Sequence, residues 1–269
     1  MIIIGEKING TRKAVGTAVA CKDADFIKNL ALTQAQAGAD YLDINAGSKP
    51  EDEPEDLVWL VKVVQEATDK PLCLDSPNPK ALEAAIKHVN KTPMINSISG
   101  EPERLESILP LAAYHDCPVI ALALDENGIP KDVDGRMAVV RKIFTRTQKA
   151  GLKDDKIFVD PLIMTIATEQ QAAHIAMDTI KKIHQEYPES HFTAGLSNIS
   201  FGMPGRTAIN QAFLIVALEA GLDSAIVDPT DRQLRTALYA AQVILGRDRH
   251  CMNYNRAFRA KKIGPVDGS

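Results

Sequence analysis

Cysteine is scarce in this 269-residue sequence, which contains four, and aromatic residues make up only 5% of it. The cysteines are far apart and form no CxxC pair or Cys/His cluster: Cys21, Cys73, Cys117 and Cys251. Such spacing is not typical of a disulfide framework or of a structural zinc site. We therefore expect free thiols, a cytoplasmic protein and no metal bound by this chain.

The sequence also lacks a basic excess and a long apolar run, and its opening residues do not predict a leader segment. Its net charge is −4, whereas a protein that binds nucleic acid usually has a basic surface. No run approaches the roughly 18 apolar residues that a membrane span requires. The opening residues, MIIIGEKING, are too short and too soon charged for a signal peptide. We expect neither nucleic acid nor a membrane among the partners.

The sequence contains no GxGxxG loop. Short apolar segments alternate with longer amphipathic segments along the whole chain. The apolar segments are nearly continuous, as in parallel strands covered by helices. Eight strand–helix units in about 250 residues favour one α/β domain, a (β/α)8 TIM barrel over residues 1–245, with residues 246–269 as a C-terminal extension packed on or trailing the barrel. A doubly wound open sheet is the alternative, but it normally carries a glycine-rich phosphate loop. The predicted strands lie in MIIIGEKI, DYLDINAG, PLCLDS, PMINSIS, CPVIALAL, KIFVDPLI, HFTAGLS and DSAIVDPT.

Carboxylates and carboxamides follow nearly every predicted strand, and in a (β/α)8 barrel these positions meet at one mouth. One alone means little, because such side chains also start turns and cap helices. Together they match a neutral, nitrogen-rich heterocycle, whose N–H groups pair with carboxylates and whose ring nitrogens pair with amides. A hard metal cation is less favoured, because the amides are about as numerous as the acids. The residues are Glu6, Asn9, Asp43, Asn45, Asp75, Asn96, Asp125, Asp160, Asn198 and Asp228.

Several of these residues belong to motifs that resemble the pterin-binding barrel family over nearly the whole chain. The motifs are IGEKIN, DYLDINAG, PLCLDSPNPKALEAAI, PMINSIS, FVDPL and GLSNISFGMP. Within that family the sequence is most similar to methyltetrahydrofolate:corrinoid protein methyltransferases, which act with corrinoid iron–sulfur proteins. The folate domains of cobalamin-dependent methionine synthase share the same motifs. One departure is Lys7, where arginine is common, and the positive charge is kept.

The resemblance implies a pterin-binding site. Asp75, Asn96 and Asp160 would hold the polar edge of the pterin ring. Asn9 and Arg206 are weaker candidates, with the arginine directed to the aminobenzoyl-glutamate end of folate.

Asn198 is the catalytic residue that the resemblance implies, and it would also contact the pterin. Its carboxamide would hydrogen-bond N5, the ring nitrogen that carries the methyl group. Such a bond favours departure of the methyl group, because the amine that leaves must gain a proton or a strong hydrogen bond. No His, Lys or Cys at a suitable predicted strand end offers a stronger acid. The glycine-containing SFGMPG segment predicts a hinge by which Asn198 swings in when folate binds.

The implied reaction moves a methyl group between 5-methyltetrahydrofolate and the Co(I) corrinoid (cobalamin) of a separate corrinoid protein, in acetyl-CoA metabolism or in O-demethylation. A thiol acceptor would need a metal, and the sequence shows no Cys/His ligand set for zinc. The alternatives are a dihydropteroate synthase-like enzyme, a folate-binding subunit without catalysis, and a Mg2+-dependent lyase. The family resemblance also favours a homodimer.

Overall fold

The computed structural model describes residues 1–264 and contains one eight-stranded parallel sheet. The strands are β1 Ile2–Asn9, β2 Tyr41–Asn45, β3 Leu72–Asp75, β4 Met94–Ser99, β5 Val119–Leu122, β6 Ile157–Asp160, β7 His191–Phe192 and β8 Ser224–Val227. Their order is β7-β6-β5-β4-β3-β2-β1-β8. A parallel bridge between Gly195 and Ile226 closes the ring, and the Ile226 amide donates to the Ala194 carbonyl at 2.9 Å. The predicted (β/α)8 barrel is confirmed, and the open doubly wound sheet is wrong.

Helices surround the barrel on its outer side. The helices are α1 Lys13–Cys21, α2 Ala24–Gln36, α3 Glu53–Ala67, α4 Pro79–Ile86, α5 Pro102–Ser107, α6 Leu109–Tyr114, α7 Val133–Lys149, α8 Ala172–Glu186, α9 Arg206–Ala220, α10 Arg232–Ile244 and α11 Met252–Arg259. Helix α1 is an addition before the first barrel helix. Helices α5 and α6 are separated because Pro110 has no N–H to continue the hydrogen-bond ladder.

The interior of the barrel is filled by apolar side chains below the mouth. One from each of β1, β3, β4, β5 and β6 forms this layer: Ile4, Cys73, Met94, Ile120 and Phe158. Each is at most 4% exposed, so the barrel is a packed core and not a pore. The polar residues at the carboxyl ends of the strands therefore lie directly above a closely packed apolar layer.

The segment after β7 differs from its prediction. HFTAGLS was predicted as a strand, but only His191–Phe192 pairs with β6, and Leu196–Ser200 forms a 3-10 helix. The Asn198 amide donates to the Gly195 carbonyl at 3.1 Å, which tightens the chain into this turn. Asn198 thus lies on a short helix above the mouth and not at the end of a strand.

The C-terminal part of the described chain packs on α10. After a 3-10 helix at Arg249–Cys251 and helix α11, the Arg232 guanidinium of α10 donates to the carbonyls of Lys261, Ile263 and Gly264. Ile263 is 1% exposed as a result. Residues 265–269 of the predicted extension lie outside the described residues. Across residues 1–264, no helix combines the length and apolarity that a membrane span requires.

Candidate active site

Four strands end in polar residues that the sequence analysis expected at the mouth of the barrel. Asn9, Asn45, Asp75 and Asp160 are the last residues of β1, β2, β3 and β6. Asn9 pairs in register with Asn45, and Asp75 pairs in register with Asn96. The barrel therefore brings these side chains to one mouth, as the strand-end pattern predicted.

Two carboxylates and two amides of β2, β3 and β4 form a hydrogen-bonded group in that mouth. The Asn45 Nδ2 donates to Asp75 Oδ2 at 3.0 Å, and the Asn96 Nδ2 donates to Asp43 Oδ1 at 3.3 Å. Asp43 is only 3% exposed. The sequence had marked Asp43 and Asn45 as strand-end residues without giving either a role, and the geometry now adds both to the site.

The electrostatics of this group favour a protonated Asp43. Burial and the charge of Asp75 raise the pKa of Asp43 to about 8. Burial also raises the pKa of Asp75, although the hydrogen bond from Asn45 works against it. At neutral pH Asp43 therefore holds its proton, since burial and the like charge of Asp75 both disfavour the ionised form.

The Oδ1 oxygen of Asn45 is buried and has no hydrogen-bond partner among residues 1–264. Its amide nitrogen is already engaged by Asp75. A buried acceptor without a partner is costly, and native proteins usually satisfy such atoms with water or with a ligand. A ligand N–H group would gain a hydrogen bond to this atom once the Asn45 side chain moved to admit it.

Asp160 lies on the opposite wall at the end of β6. Burial raises the pKa of its carboxyl group to about 6, while the Leu162 N–H, 2.7 Å from Oδ1, and the positive charge of Arg136 act to lower it. Above pH 6 the ionised carboxylate is an acceptor for ligand N–H groups.

The Asn198 side chain, on the 3-10 helix that follows β7, has an unoccupied carboxamide. Within the described part of the chain, this exposed side chain makes no hydrogen bond. Its amide nitrogen lies beside Gly195, where the Cβ of any larger residue would come within 3.1 Å of it. Glycine at 195 therefore leaves space for the amide to turn.

The backbone of the Asn198 turn is held from two sides. From the loop after β6, the Thr165 hydroxyl donates to the Phe201 carbonyl at 2.5 Å, and the Ile166 amide donates to the Ile199 carbonyl at 3.0 Å. From α9, Arg206 donates to the Ser197 carbonyl at 2.8 Å and to the Ser200 hydroxyl at 3.0 Å. These bonds fix the backbone, so that the movement left to Asn198 is rotation of its side chain.

The remaining strand-end residues serve local structure. The Asn9 carboxamide oxygen accepts from the amide and hydroxyl of Thr11. Asp125 accepts from the Asn127 amide at 2.9 Å. Asp228 accepts from Lys7 at 2.6 Å, and this bond engages the lysine that replaces the commoner arginine. The bonds of Asn9 and Asp125 are turn-forming functions typical of Asn and Asp, whereas the Lys7–Asp228 ion pair joins the ends of β1 and β8.

Beside these residues a cavity of about 330 Å³ opens between the ends of β1 and β8 and the start of α9. Charged side chains of both signs line it, including Glu6, Arg12, Arg206 and Asp228. Arg12 donates to Glu6 at 2.8 Å. Three or more His, Cys, Asp or Glu side chains placed to bind a metal ion do not occur together anywhere in residues 1–264.

Known proteins resemble this chain in sequence and in structure. The profile of the family described as pterin binding enzyme matches residues 5–228. Methylcorrinoid:tetrahydrofolate methyltransferase of Eubacterium limosum is 41% identical over 268 residues, which are 99% of each chain. Methionine synthase of Mycobacterium tuberculosis is 30% identical over 240 residues, which cover 84% of this chain and 20% of that protein.

A dihydropteroate synthase of Xanthomonas albilineans in complex with 7,8-dihydropteroate has a similar fold, with a TM-score of 0.67, 21% identity and coverage of 91% and 92% of the two chains. At that identity the likeness concerns the fold. The family profile and the relative that matches from end to end confirm the resemblance read from the motifs. This chain belongs to the family of pterin-binding enzymes.

Proposed function

We propose that this protein is a methyltransferase that moves a methyl group between N5 of 5-methyltetrahydrofolate and the Co(I) corrinoid of a separate corrinoid protein. The observation that carries this proposal is the unpartnered buried oxygen of Asn45 amid the acids and amides of the mouth. The relative that is 41% identical from end to end bears the name methylcorrinoid:tetrahydrofolate methyltransferase, which supports the same chemistry.

The pterin ring is proposed to lie in the mouth between β3, β4 and β6. Asp75 and Asp160 accept hydrogen bonds from its N–H and amino groups, and Asn96 and Asn45 supply the matching amides. The proton that Asp43 holds at neutral pH reduces the negative charge of the mouth, which suits a neutral ring. Asn9 and Arg206 remain candidates at the rim, toward the rest of the folate.

Asn198 is proposed to act on N5. As the N5–CH3 bond breaks, its electron pair stays on N5, and a hydrogen bond from the Asn198 amide stabilises the charge that develops there. The unoccupied carboxamide and the open space at Gly195 support this role, because the side chain can rotate without breaking an existing bond. The corrinoid of the partner supplies the cobalt nucleophile, and in the reverse direction the methyl donor.

The test is an anaerobic assay of the purified protein with 5-methyltetrahydrofolate and cob(I)alamin, followed by the cobalt spectrum. Conversion of Co(I) to methylcobalamin, and of methylcobalamin with tetrahydrofolate in reverse, is the expected result. Tetrahydrofolate binding without turnover, even with a corrinoid protein present, would favour the folate-binding subunit. Formation of dihydropteroate from a pterin pyrophosphate and 4-aminobenzoate would favour the dihydropteroate synthase alternative.

We also propose that the protein is a cytoplasmic homodimer. Exposed apolar side chains occur on α9, α10 and α11, where Val216, Ile244 and Met252 are 43%, 75% and 55% exposed. A second copy packed on this surface would remove them from water. Light scattering of the purified protein measures the mass, and Ile244→Glu is expected to shift it toward the monomer.

A further inference from the structure

Arg136 is a buried arginine that no step above uses. It lies in the first turns of α7 and is 1% exposed. Its Nη1 donates to the Pro161 carbonyl at 2.5 Å, and its Nε donates to the Pro130 carbonyl at 3.2 Å. It forms no ion pair within 4.0 Å among the described residues. Arginine is almost never fully buried unless it is paired.

The position of Arg136 is unfavourable for the stability of α7 alone. The N-terminal end of a helix carries a partial positive charge, which repels a cation. Burial lowers the pKa of Arg136, and the charges of Asp160 and Asp132 act against that effect. Asp132 already caps α7 by accepting from the Gly135 amide at 2.7 Å. The guanidinium nonetheless stays charged, because arginine does not deprotonate in proteins.

The buried cation is directed at the peptide that carries Asp160. Arg136 donates to the carbonyl of Pro161, the residue that directly follows Asp160. The Asp160 carboxylate accepts a hydrogen bond from the N–H of the next residue, Leu162. On the β5 side the residue in register with Asp160 is the uncharged Leu122, and on the other side β7 has no residue paired with Asp160. Within residues 1–264, the positive charge of Arg136 acts to lower the pKa of the Asp160 carboxyl group.

We propose that Arg136 is a positioning residue that keeps the Asp160 carboxylate ionised and fixed toward the pterin ring. Its relevance to catalysis rests on the proposed function, whereas its effect on Asp160 does not. Two contributions are separable. The charge favours the ionised carboxylate through space, and the bonds to two carbonyls fix the backbone at Pro130 and Pro161.

The consequence is a pH dependence with a defined direction. Asp160 has a pKa of about 6 with Arg136 in place. A neutral residue at 136 removes an opposing charge, so that the Asp160 titration moves upward by about one pH unit. Tetrahydrofolate binding by the variant is then about threefold weaker near pH 6.5 and recovers as the pH rises to 8.5.

The variants separate charge from geometry. Arg136→Met removes the charge and the hydrogen bonds to the two carbonyls. Arg136→Lys keeps the charge but loses the forked guanidinium donor. Arg136→Gln is neutral but can still donate to one carbonyl, and it serves if the methionine variant does not fold. Arg141→Met is the matched control, because Arg141 lies on the same helix and pairs with Glu186 at the surface.

Two measurements test the proposal together. Carbon-13 NMR of labelled aspartate carboxyl groups follows Asp160 in the ligand-free protein, with the signal assigned by its loss in Asp160→Asn. Calorimetry follows tetrahydrofolate binding from pH 5.5 to 8.5. The expected result is an upward shift of both profiles in the neutral variants, near-wild-type profiles in Arg136→Lys, and no shift in Arg141→Met.

The failures are distinguishable. An Asp160 titration that is unchanged in both neutral variants overturns the role of Arg136, whatever the protein binds. A shifted titration in a protein that binds no tetrahydrofolate at any pH upholds the effect of Arg136 and rejects the proposed function. A uniform loss of affinity at every pH in the neutral variants leaves only a structural role and overturns the proposal.

Discussion

The amide nitrogen of Asn45 donates a 3.0 Å hydrogen bond to the Asp75 carboxylate, while the amide oxygen of the same residue is buried without a partner among residues 1–264. The bond to Asp75 engages the nitrogen of the Asn45 amide and leaves its oxygen as the unsatisfied atom. The ligand-free mouth therefore contains an acid and an unpaired amide oxygen on neighbouring strands, and both groups accept hydrogen bonds.

Asn45→Ala is expected to weaken tetrahydrofolate binding by about tenfold, because the ligand loses an acceptor and Asp75 loses its donor. Calorimetry at pH 7.5 measures the dissociation constant. Asn255→Ala changes an exposed asparagine on α11 and should leave binding unaltered. An unchanged affinity in Asn45→Ala would mean that the buried oxygen is satisfied by water and not by the pterin.

The ionised Asp160 carboxylate is expected to lower the free energy of unfolding and to strengthen tetrahydrofolate binding. Its pKa is raised to about 6, so the folded state holds this proton more tightly than the unfolded chain does. The unfolding free energy therefore decreases as the pH rises from about 4 to 6, and the stabilisation is present only below that window. At pH 7, Asp160→Asn should raise the unfolding free energy by about 1–3 kcal/mol and lower tetrahydrofolate affinity.

Chemical denaturation at pH 4 and pH 7 measures this difference, which should be confined to the higher pH. Asp178→Asn on α8 provides the control, since Asp178 is exposed. An Asp160→Asn variant that is less stable than the wild type at pH 7 would show that the carboxylate stabilises the fold.

The barrel and its polar mouth could be predicted from the sequence because both depend on local patterns. Apolar runs of strand length alternate with helical segments, and the residue that ends each run determines what reaches the mouth. Asp75 and Asp160 are recognisable in this way, since each directly ends its strand.

Other features depend on three-dimensional contacts that no local pattern encodes. The 3-10 helix around Asn198 forms because Thr165 and Arg206, from two other segments, bind its carbonyls. The burial of Arg136 beside Pro161 joins residues 25 positions apart. The unpaired oxygen of Asn45 can be identified only from the three-dimensional structure, because it depends on the positions of all neighbouring donors.

Asn198→Ala is expected to reduce the rate of methyl transfer by about 10²–10³, the typical effect of removing one hydrogen-bond donor to a developing charge. Tetrahydrofolate affinity should change much less, because the bond strengthens only as N5 gains its electron pair. Single-turnover measurements with cob(I)alamin give the rate, and calorimetry gives the affinity. Asn29→Ala on α2 is the control at an exposed asparagine.

The same residue offers a structural test of the swing. Crystal structures with and without folate should show a new side-chain rotamer of Asn198 on an unmoved backbone, because Thr165 and Arg206 hold the turn. Identical side-chain positions in the two structures would refute the swing, and a displaced backbone would support the hinge predicted at SFGMPG.

Arg206→Met distinguishes a folate-tail contact from support of the Asn198 turn. Arg206 donates to Ser197 and Ser200 of that turn, and Ser200 in turn donates to Asn210 at 2.7 Å. If support of the turn is the main role, the variant should lower the rate with 5-methyltetrahydrofolate and with a methylated tetrahydropterin that lacks the tail by the same factor, about tenfold. A loss confined to the full folate would instead assign Arg206 to the aminobenzoyl-glutamate end. Arg259→Met, at an exposed position on α11, controls for the loss of one surface charge.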